Sequence, residues 1–289
     1  MNVLVVGGTR FFGIPMVNSL LDKGYTVTLA TRGDHGNPFN DKVRRVIMDK
    51  TDGSSVKSAL GIEEYDVVID KVAYSSNDVI SLLENVKCKR YIQMSSCAVY
   101  PVEHSFIKES EFEPQSHRLI RMDRPADYAE GKRQAERAAL EFMDIGKCTF
   151  VRYPVVMGKN DYTGRLKFYV EHICGQIPMR IDNLNIGTSY INESEAGEFI
   201  SYLVDHPASG AVNGCSKSII SQNEIISYIE SKSGKKAVIS ESGDLSPYDG
   251  NKADTSYDFA KAENLGYSFS NISSWIFELL NFYLSQNQN

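Results

Sequence analysis

Four times in this chain a tyrosine precedes a lysine by four positions: Tyr128/Lys132, Tyr228/Lys232, Tyr248/Lys252 and Tyr257/Lys261. A phenol with a pKa of about 10 is mostly protonated at neutral pH, and a nearby ammonium favours its ionised form. Such a pair can exchange a proton with a hydroxyl or carbonyl oxygen. On a helix, this spacing puts both side chains on one face. Spacing does not choose among four candidates; the elements that carry them must.

Only Tyr128/Lys132 lies in a suitable frame. It opens a helix near Ala126, in "DYAEGKRQAER", downstream of "QMSSCAVYP". That stretch places Ser95 and Ser96 at the carboxyl end of a strand, where open α/β sheets bind ligands. Tyr228/Lys232 falls in a late helix, Tyr248/Lys252 spans Gly250 in a loop, and Tyr257/Lys261 lies in a late segment.

The earlier chain alternates strand and helix. Val3–Val6 is a short β-branched run suited to a strand buried on both faces. It breaks at Gly7-Gly8, and Phe12, Met16, Val17, Leu20 and Leu21 then recur at helical spacing up to Gly24. "YTVTLATR", "RRVIMD", "YDVVID" and "RYIQMSS" read as further strands, with a helix over Asp78–Val86, and "CTFVRYPVV" as one more strand. This tempo predicts right-handed βαβ units and an α/β, Rossmann-type doubly wound parallel sheet. A dinucleotide-binding domain is expected over 1–158. A smaller mixed substrate-binding region is expected over 159–289, with some segments returning to the first domain.

At the first strand-to-helix turn, "VVGGTRFFG" offers the amides and dipole of a helix N-terminus to a pyrophosphate. Gly7 and Gly13 stand at two glycine positions of a Gly-x-x-Gly-x-x-Gly pattern, and Arg10 replaces the middle one. Its guanidinium could crowd the pyrophosphate or pair with it. After strand two the chain reads "ATRGD", with Arg32 nearer the strand end than Asp34. An arginine there tolerates the 2′-phosphate of NADP, whereas an acid binds the ribose of NAD; NADP is favoured over NAD. The structural alternatives are a tight turn for the glycines, a solvated loop charge for Arg32, a strand-end cap for Ser96 and a half-buried aromatic for Tyr128.

"GGTRFFG", "YDVVIDKVAY", "SSCAVY", "YAEGK" and "VRYPVVMG", in this order, resemble the extended short-chain dehydrogenase/reductase superfamily. "GGTR" and "VIDKVAY" are similar to an NAD(P)-dependent epimerase/dehydratase branch that also includes chloroplast stem-loop RNA-binding proteins. The resemblance implies a catalytic set of Ser96, Tyr128 and Lys132. Ser96 is preferred to Ser95 because it stands four before Tyr100. The implied cofactor contacts are Gly7, Thr9, Arg10, Phe11, Phe12, Gly13, Arg32, Asp49, Val72 and Ala73, together with Tyr128 and Lys132. Tyr74, Ser96 and Arg165 are expected on the substrate side. Nucleotide sugars are the commonest substrates of extended members. Cys97 and Ala98 follow Ser96 where a dehydratase usually carries carboxylates, which leaves epimerisation or carbonyl reduction. A non-catalytic dinucleotide-sensing or RNA-binding protein on the same scaffold is the alternative.

The net charge of −6 and pI of about 5.5 provide no basic field for nucleic acid, so an RNA partner is not expected. Five scattered cysteines without Cys-x-x-Cys suggest reduced thiols, and the histidines form no metal-ligand pattern. The N-terminal apolar run is too short for a signal peptide or a membrane span, so a cytoplasmic location is expected. A homodimer is the default assembly for such a scaffold.

Overall fold

The structure is a computed structural model that describes residues 1–248 and 252–287. Its centre is a parallel sheet of seven strands: β1 (Asn2–Val6), β2 (Thr26–Thr31), β3 (Arg44–Ile47), β4 (Glu64–Asp70), β5 (Lys87–Met94), β6 (Cys148–Arg152) and β7 (Gly210–Asn213). The spatial order is β7-β6-β5-β4-β1-β2-β3. The chain thus runs outward from β1 to β3, then crosses back to start β4 on the other side of β1. In register, Val6 lies beside both Ala30 and Asp70. The carboxyl ends of β1 and β4 diverge there and open the crevice in which such sheets bind ligands.

Strand β1 explains why the sheet needs two covering layers. Val3, Leu4, Val5 and Val6 are all buried, and alternate residues face opposite sides. Val3 and Val5 pack with Met16, Val17 and Leu20 of α1 (Gly13–Asp22) and with Phe199, Ile200 and Leu203 of a later helix, Glu193–Asp205. Leu4 and Val6 pack with Val56 and Leu60 of α2 (Gly53–Leu60), Val79 and Leu82 of α3 (Ser76–Leu83), and Ala135 and Ala138 of α4 (Tyr128–Ala139). A third apolar cluster joins α5 (Arg165–Gly175) to the helices Gln222–Ser233 and Ile276–Gln286 through Tyr169, Ile173, Ile225, Ile229, Ile276 and Leu280.

Two expectations need correction. "CTFVRYPVV" is not one strand: β6 stops at Arg152, and Val155–Met157 leaves the central sheet to pair with Tyr190–Asn192. Pro154 has no N–H to give the ladder, so the chain turns out of it. The helix expected over Asp78–Val86 spans Ser76–Leu83, because Ser75 caps it by accepting a hydrogen bond from the Asp78 amide. Sequence periodicity also passed over α2 and β7, which are both short.

Candidate active site

The glycine turn is shaped by close approaches. Gly7 has φ +76°, and a Cβ there would lie 2.7 Å from Val72 Cγ1; a Cβ on Gly13 would lie 2.7 Å from the Gly8 carbonyl oxygen. Between them the left-handed residue is Phe11, φ 55°, while Arg10 has negative φ. The backbone therefore does not need a glycine at position 10. The Arg10 guanidinium does not plug the turn. It lies 3.8 Å from the centroid of the Tyr162 ring, with Nη1 3.2 Å from His35 Nε2, and so bridges the rim.

Behind this bridge is a cavity of about 480 Å³, lined by Gly7, Thr9, Thr31, Arg32, Asp49 and Val72, among others. The cavity fits a dinucleotide on three counts. Gly7 and Gly8 leave the start of the turn, directly after β1, without side chains. Thr31 Oγ1 at the end of β2 is buried without a hydrogen-bond partner. Cations gather around the opening. Arg32 pairs with Asp34 at 3.1 Å on the surface, beside the Thr31 end of the cavity. Thr51 holds Asp49 through its amide at 2.9 Å and its hydroxyl at 2.7 Å, which keeps that carboxyl below its ordinary range. Ala73 is buried, and its carbonyl accepts from Lys132.

The two serines at the end of β5 face different ways. Ser95 is buried and its Oγ donates to Glu136 Oε1 at 2.5 Å. Ser96 caps a short turn, its Oγ accepting from the Ala98 amide at 3.1 Å, and it lies near enough to Tyr128 to lower the pKa of that phenol. Asp127 starts α4 by accepting from the Glu130 amide, so Tyr128 is its first residue. Gly131 lets this turn dock: a Cβ there would lie 2.5 Å from the Tyr74 carbonyl oxygen. Lys132 is fully buried, with Nζ donating to the carbonyls of Ala73 at 2.7 Å and Met94 at 2.9 Å. It lies 4.7 Å from the Tyr74 ring centroid and 5.8 Å from that of Tyr128.

This geometry corrects the expected electrostatics. Burial raises the Tyr128 phenol above its ordinary pKa, while Ser96, Arg165 and Arg124 pull it the other way. The cations that pull hardest on it are Arg165 and Arg124. Desolvation instead drives the Lys132 ammonium down to about 7, against a smaller upward pull from Asp70. Tyr128 is 43% exposed, yet the protein packed around it keeps the resting phenol protonated.

Tyr74 lies between Lys132 and Arg124, whose guanidinium carbon is 4.5 Å from its ring centroid. Burial, then Tyr128 and Tyr162, push the Tyr74 phenol up to about 12. Arg165 is exposed at the first turn of α5, near enough to Tyr128 to act on its charge. The sequence reading missed Arg124, Lys71, Tyr162 and His35. Lys71 could have been noticed, because it directly follows strand four; Tyr162 is an exposed loop residue with no local signal.

The remaining Tyr/Lys pairs lie elsewhere. Lys232 sits 5.4 Å from its own Tyr228 ring on a surface helix. Lys261 Nζ donates to the Ser209 carbonyl at 2.7 Å, and Tyr257 stacks on Tyr100. Tyr248/Lys252 spans residues 249–251, which lie outside the described residues. Among the described residues no His, Cys, Asp or Glu group could hold a metal, the five cysteines are unpaired, and no helix is long and apolar enough to cross a membrane.

A Rossmann-like parallel sheet with a glycine turn at its switch point and a Ser/Tyr/Lys set at its carboxyl edge defines the class of this protein by fold. Residues 3–81 match the NAD dependent epimerase/dehydratase family. A segment of 113 residues is 34% identical to the chloroplast stem-loop binding protein of 41 kDa b of Arabidopsis thaliana. The match spans 34% of this chain and 30% of that relative's length. Among solved structures, UDP-glucose 4-epimerase from Thermotoga maritima, determined with UDP-glucose, aligns over 100% of both chains with TM-score 0.76 and 17% identity. UDP-glucuronic acid 4-epimerase from Bacillus cereus in complex with NAD aligns over 100% of both chains with TM-score 0.73 and 18% identity. At these identities the likeness is one of fold.

Proposed function

We propose that this chain is an NAD(P)-dependent oxidoreductase of the epimerase type, acting on a nucleotide sugar or a related hydroxyl/carbonyl compound. One observation carries the reading: Ser96 at the carboxyl end of β5 lies close enough to Tyr128, the first residue of α4, to lower the phenol's pKa, and Lys132 on the same helix is anchored beside them by the Ala73 and Met94 carbonyls. The cofactor would be held by that turn, by Thr31 and Arg32 at the end of β2, and by Asp49, Val72 and Ala73. It supplies the acceptor and donor of hydride.

The chain's own residues handle the proton. Tyr128 Oη exchanges a proton with the substrate oxygen, Ser96 Oγ hydrogen-bonds that oxygen, and Lys132 secures α4 against the loops after β4 and β5. Because burial keeps the resting phenol protonated, the free protein is poised to donate to a carbonyl oxygen; Ser96, Arg124 and Arg165 favour the reverse transfer. Arg165 near Tyr128 and Tyr74 on the cavity wall suit a phosphorylated, ring-bearing substrate.

Mass spectrometry of the nucleotide retained on purification, followed by nucleotide sugars assayed with that cofactor, tests this reading. Absence of any bound or bindable dinucleotide would overturn it. NADP is the favoured form because Arg32, with Arg45 held near it by His35, offers cations where NAD would want an acid. Arg32→Ala is therefore expected to weaken NADP binding about tenfold and leave NAD nearly unchanged, measured by fluorescence titration. Equal loss for both cofactors would remove the preference. RNA retention on a filter should be weak and insensitive to the substitution; tight, steeply salt-dependent retention would favour a binding protein instead.

A further inference from the structure

Lys71 directly follows β4, and its amide donates to the Val6 carbonyl at 3.0 Å, so it stands where β1 and β4 diverge. Its ammonium lies 4.1 Å from the Phe12 ring centroid, and Phe12 is the N-cap residue of α1. The ring face attracts the ammonium, but it is no counter-ion. The amides and dipole of a helix N-terminus attract anions and repel positive charge. Desolvation first, and Arg10 second, push the Lys71 ammonium down to about 8.

No carboxylate around the cavity relieves it. The adjacent Asp70 is taken by Lys50 at 2.6 Å, by the Tyr91 hydroxyl at 2.9 Å and by the Val72 amide at 3.1 Å. Asp34 pairs with Arg32, Asp49 with Thr51, and Asp78 accepts from the Tyr74 amide at 2.9 Å. The other charged and titratable groups lining the space are Arg10, His35, Lys50, Tyr74, Arg124 and Tyr162, with Lys132 behind them on α4. A desolvated ammonium at a helix N-terminus, beside a guanidinium and facing a cavity, is arranged for an anion that enters from outside the chain.

We propose that Lys71 is a pyrophosphate-binding residue of the dinucleotide site, acting with Arg10 across the glycine turn. This rests on the dinucleotide reading above. Binding joins the diphosphate to the ammonium form. Where the free lysine is neutral, complex formation takes one proton from solvent onto Nζ. Affinity is therefore full below about pH 8 and falls above it, by at most tenfold per pH unit for one proton. Lys132 titrates lower, and its contribution is common to the parent and the variants below.

Calorimetric titration with ADP-ribose and with adenosine, from pH 7 to 9.5 in buffers of different ionisation enthalpy, tests this without turnover. ADP-ribose carries the diphosphate but neither nicotinamide nor 2′-phosphate. The parent should bind ADP-ribose with proton uptake that approaches one above pH 8. Lys71→Met should weaken ADP-ribose by about 10- to 100-fold at pH 7, abolish most of the uptake, and leave adenosine unchanged. Lys71→Arg should bind tightly at pH 9 without uptake, and it decides the matter if the methionine variant does not fold. If the parent binds ADP-ribose but Lys71→Met matches it in affinity and pH slope, or Lys71→Arg takes up a proton as the parent does, the inference fails. If the parent binds neither ADP-ribose, NAD nor NADP, the dinucleotide reading fails, and this inference with it.

Discussion

Tyr128→Phe should reduce turnover by about a thousandfold or more while dinucleotide affinity stays within about twofold of the parent. The substitution deletes one oxygen. It leaves the ring beside Lys132 and the Asp127 cap of α4 in place, and the side chain is 43% exposed, so little stability should be lost. What disappears is the phenol oxygen that lies within the influence of Ser96 at the carboxyl edge of the sheet. Single-turnover measurement of hydride transfer, alongside equilibrium cofactor binding, separates the two quantities. Activity equal to the parent's would end the assignment of Tyr128 as the proton-transfer group. Loss of cofactor affinity equal to the loss of rate would make it a structural residue.

Glu136→Ala should destabilise the fold by about 3–5 kcal/mol, the cost typical of removing one partner of a buried ion pair. Glu136 on α4 and Arg152 at the end of β6 both have fully buried side chains. Arg152 donates from Nε to Glu136 Oε1 at 3.0 Å and from Nη2 to Oε2 at 2.7 Å. Its remaining donors reach the carbonyls of Glu109 at 2.8 Å and Phe112 at 2.9 Å, and the Tyr100 hydroxyl at 3.2 Å. Glu136 and these contacts hold the guanidinium firmly in its charged form. Without the carboxylate, a cation would remain in the core and Ser95 would lose its acceptor. Denaturant unfolding monitored by circular dichroism reads the change. A loss below about 1 kcal/mol would mean that water reaches Arg152 in the variant, and that the pair does not fix α4 to the sheet.

The local chemistry of this chain was legible because it depends on short-range rules. β-Branched runs made β1, β2 and β4 readable, since a strand covered on both faces is rich in apolar side chains at successive positions. The glycine turn and the four-residue Tyr/Lys spacing were readable for the same reason: turn geometry and helical period are fixed within a few residues. The choice of Ser96 over Ser95 came from its distance to Tyr100. The structure turns Ser95 inward to Glu136 and leaves Ser96 near Tyr128.

Short elements escaped the sequence reading. α2 buries only Val56 and Leu60, too few apolar positions for a period to show, and Gly210–Asn213 becomes a strand only because the edge of β6 accepts it. The break at Pro154 was written in the sequence, but its consequence depends on Tyr190–Asn192 waiting as a partner. Charge was the least legible property. From spacing alone, Lys132 should ionise the phenol of Tyr128. Folding instead strips water from both groups, so that the phenol rises and the ammonium falls to about 7. The sequence by itself determined which residue types lie where along each strand, turn and helix. Tertiary structure decided which of them share a cavity and what charge they carry there, because desolvation depends on atoms brought in from distant parts of the chain.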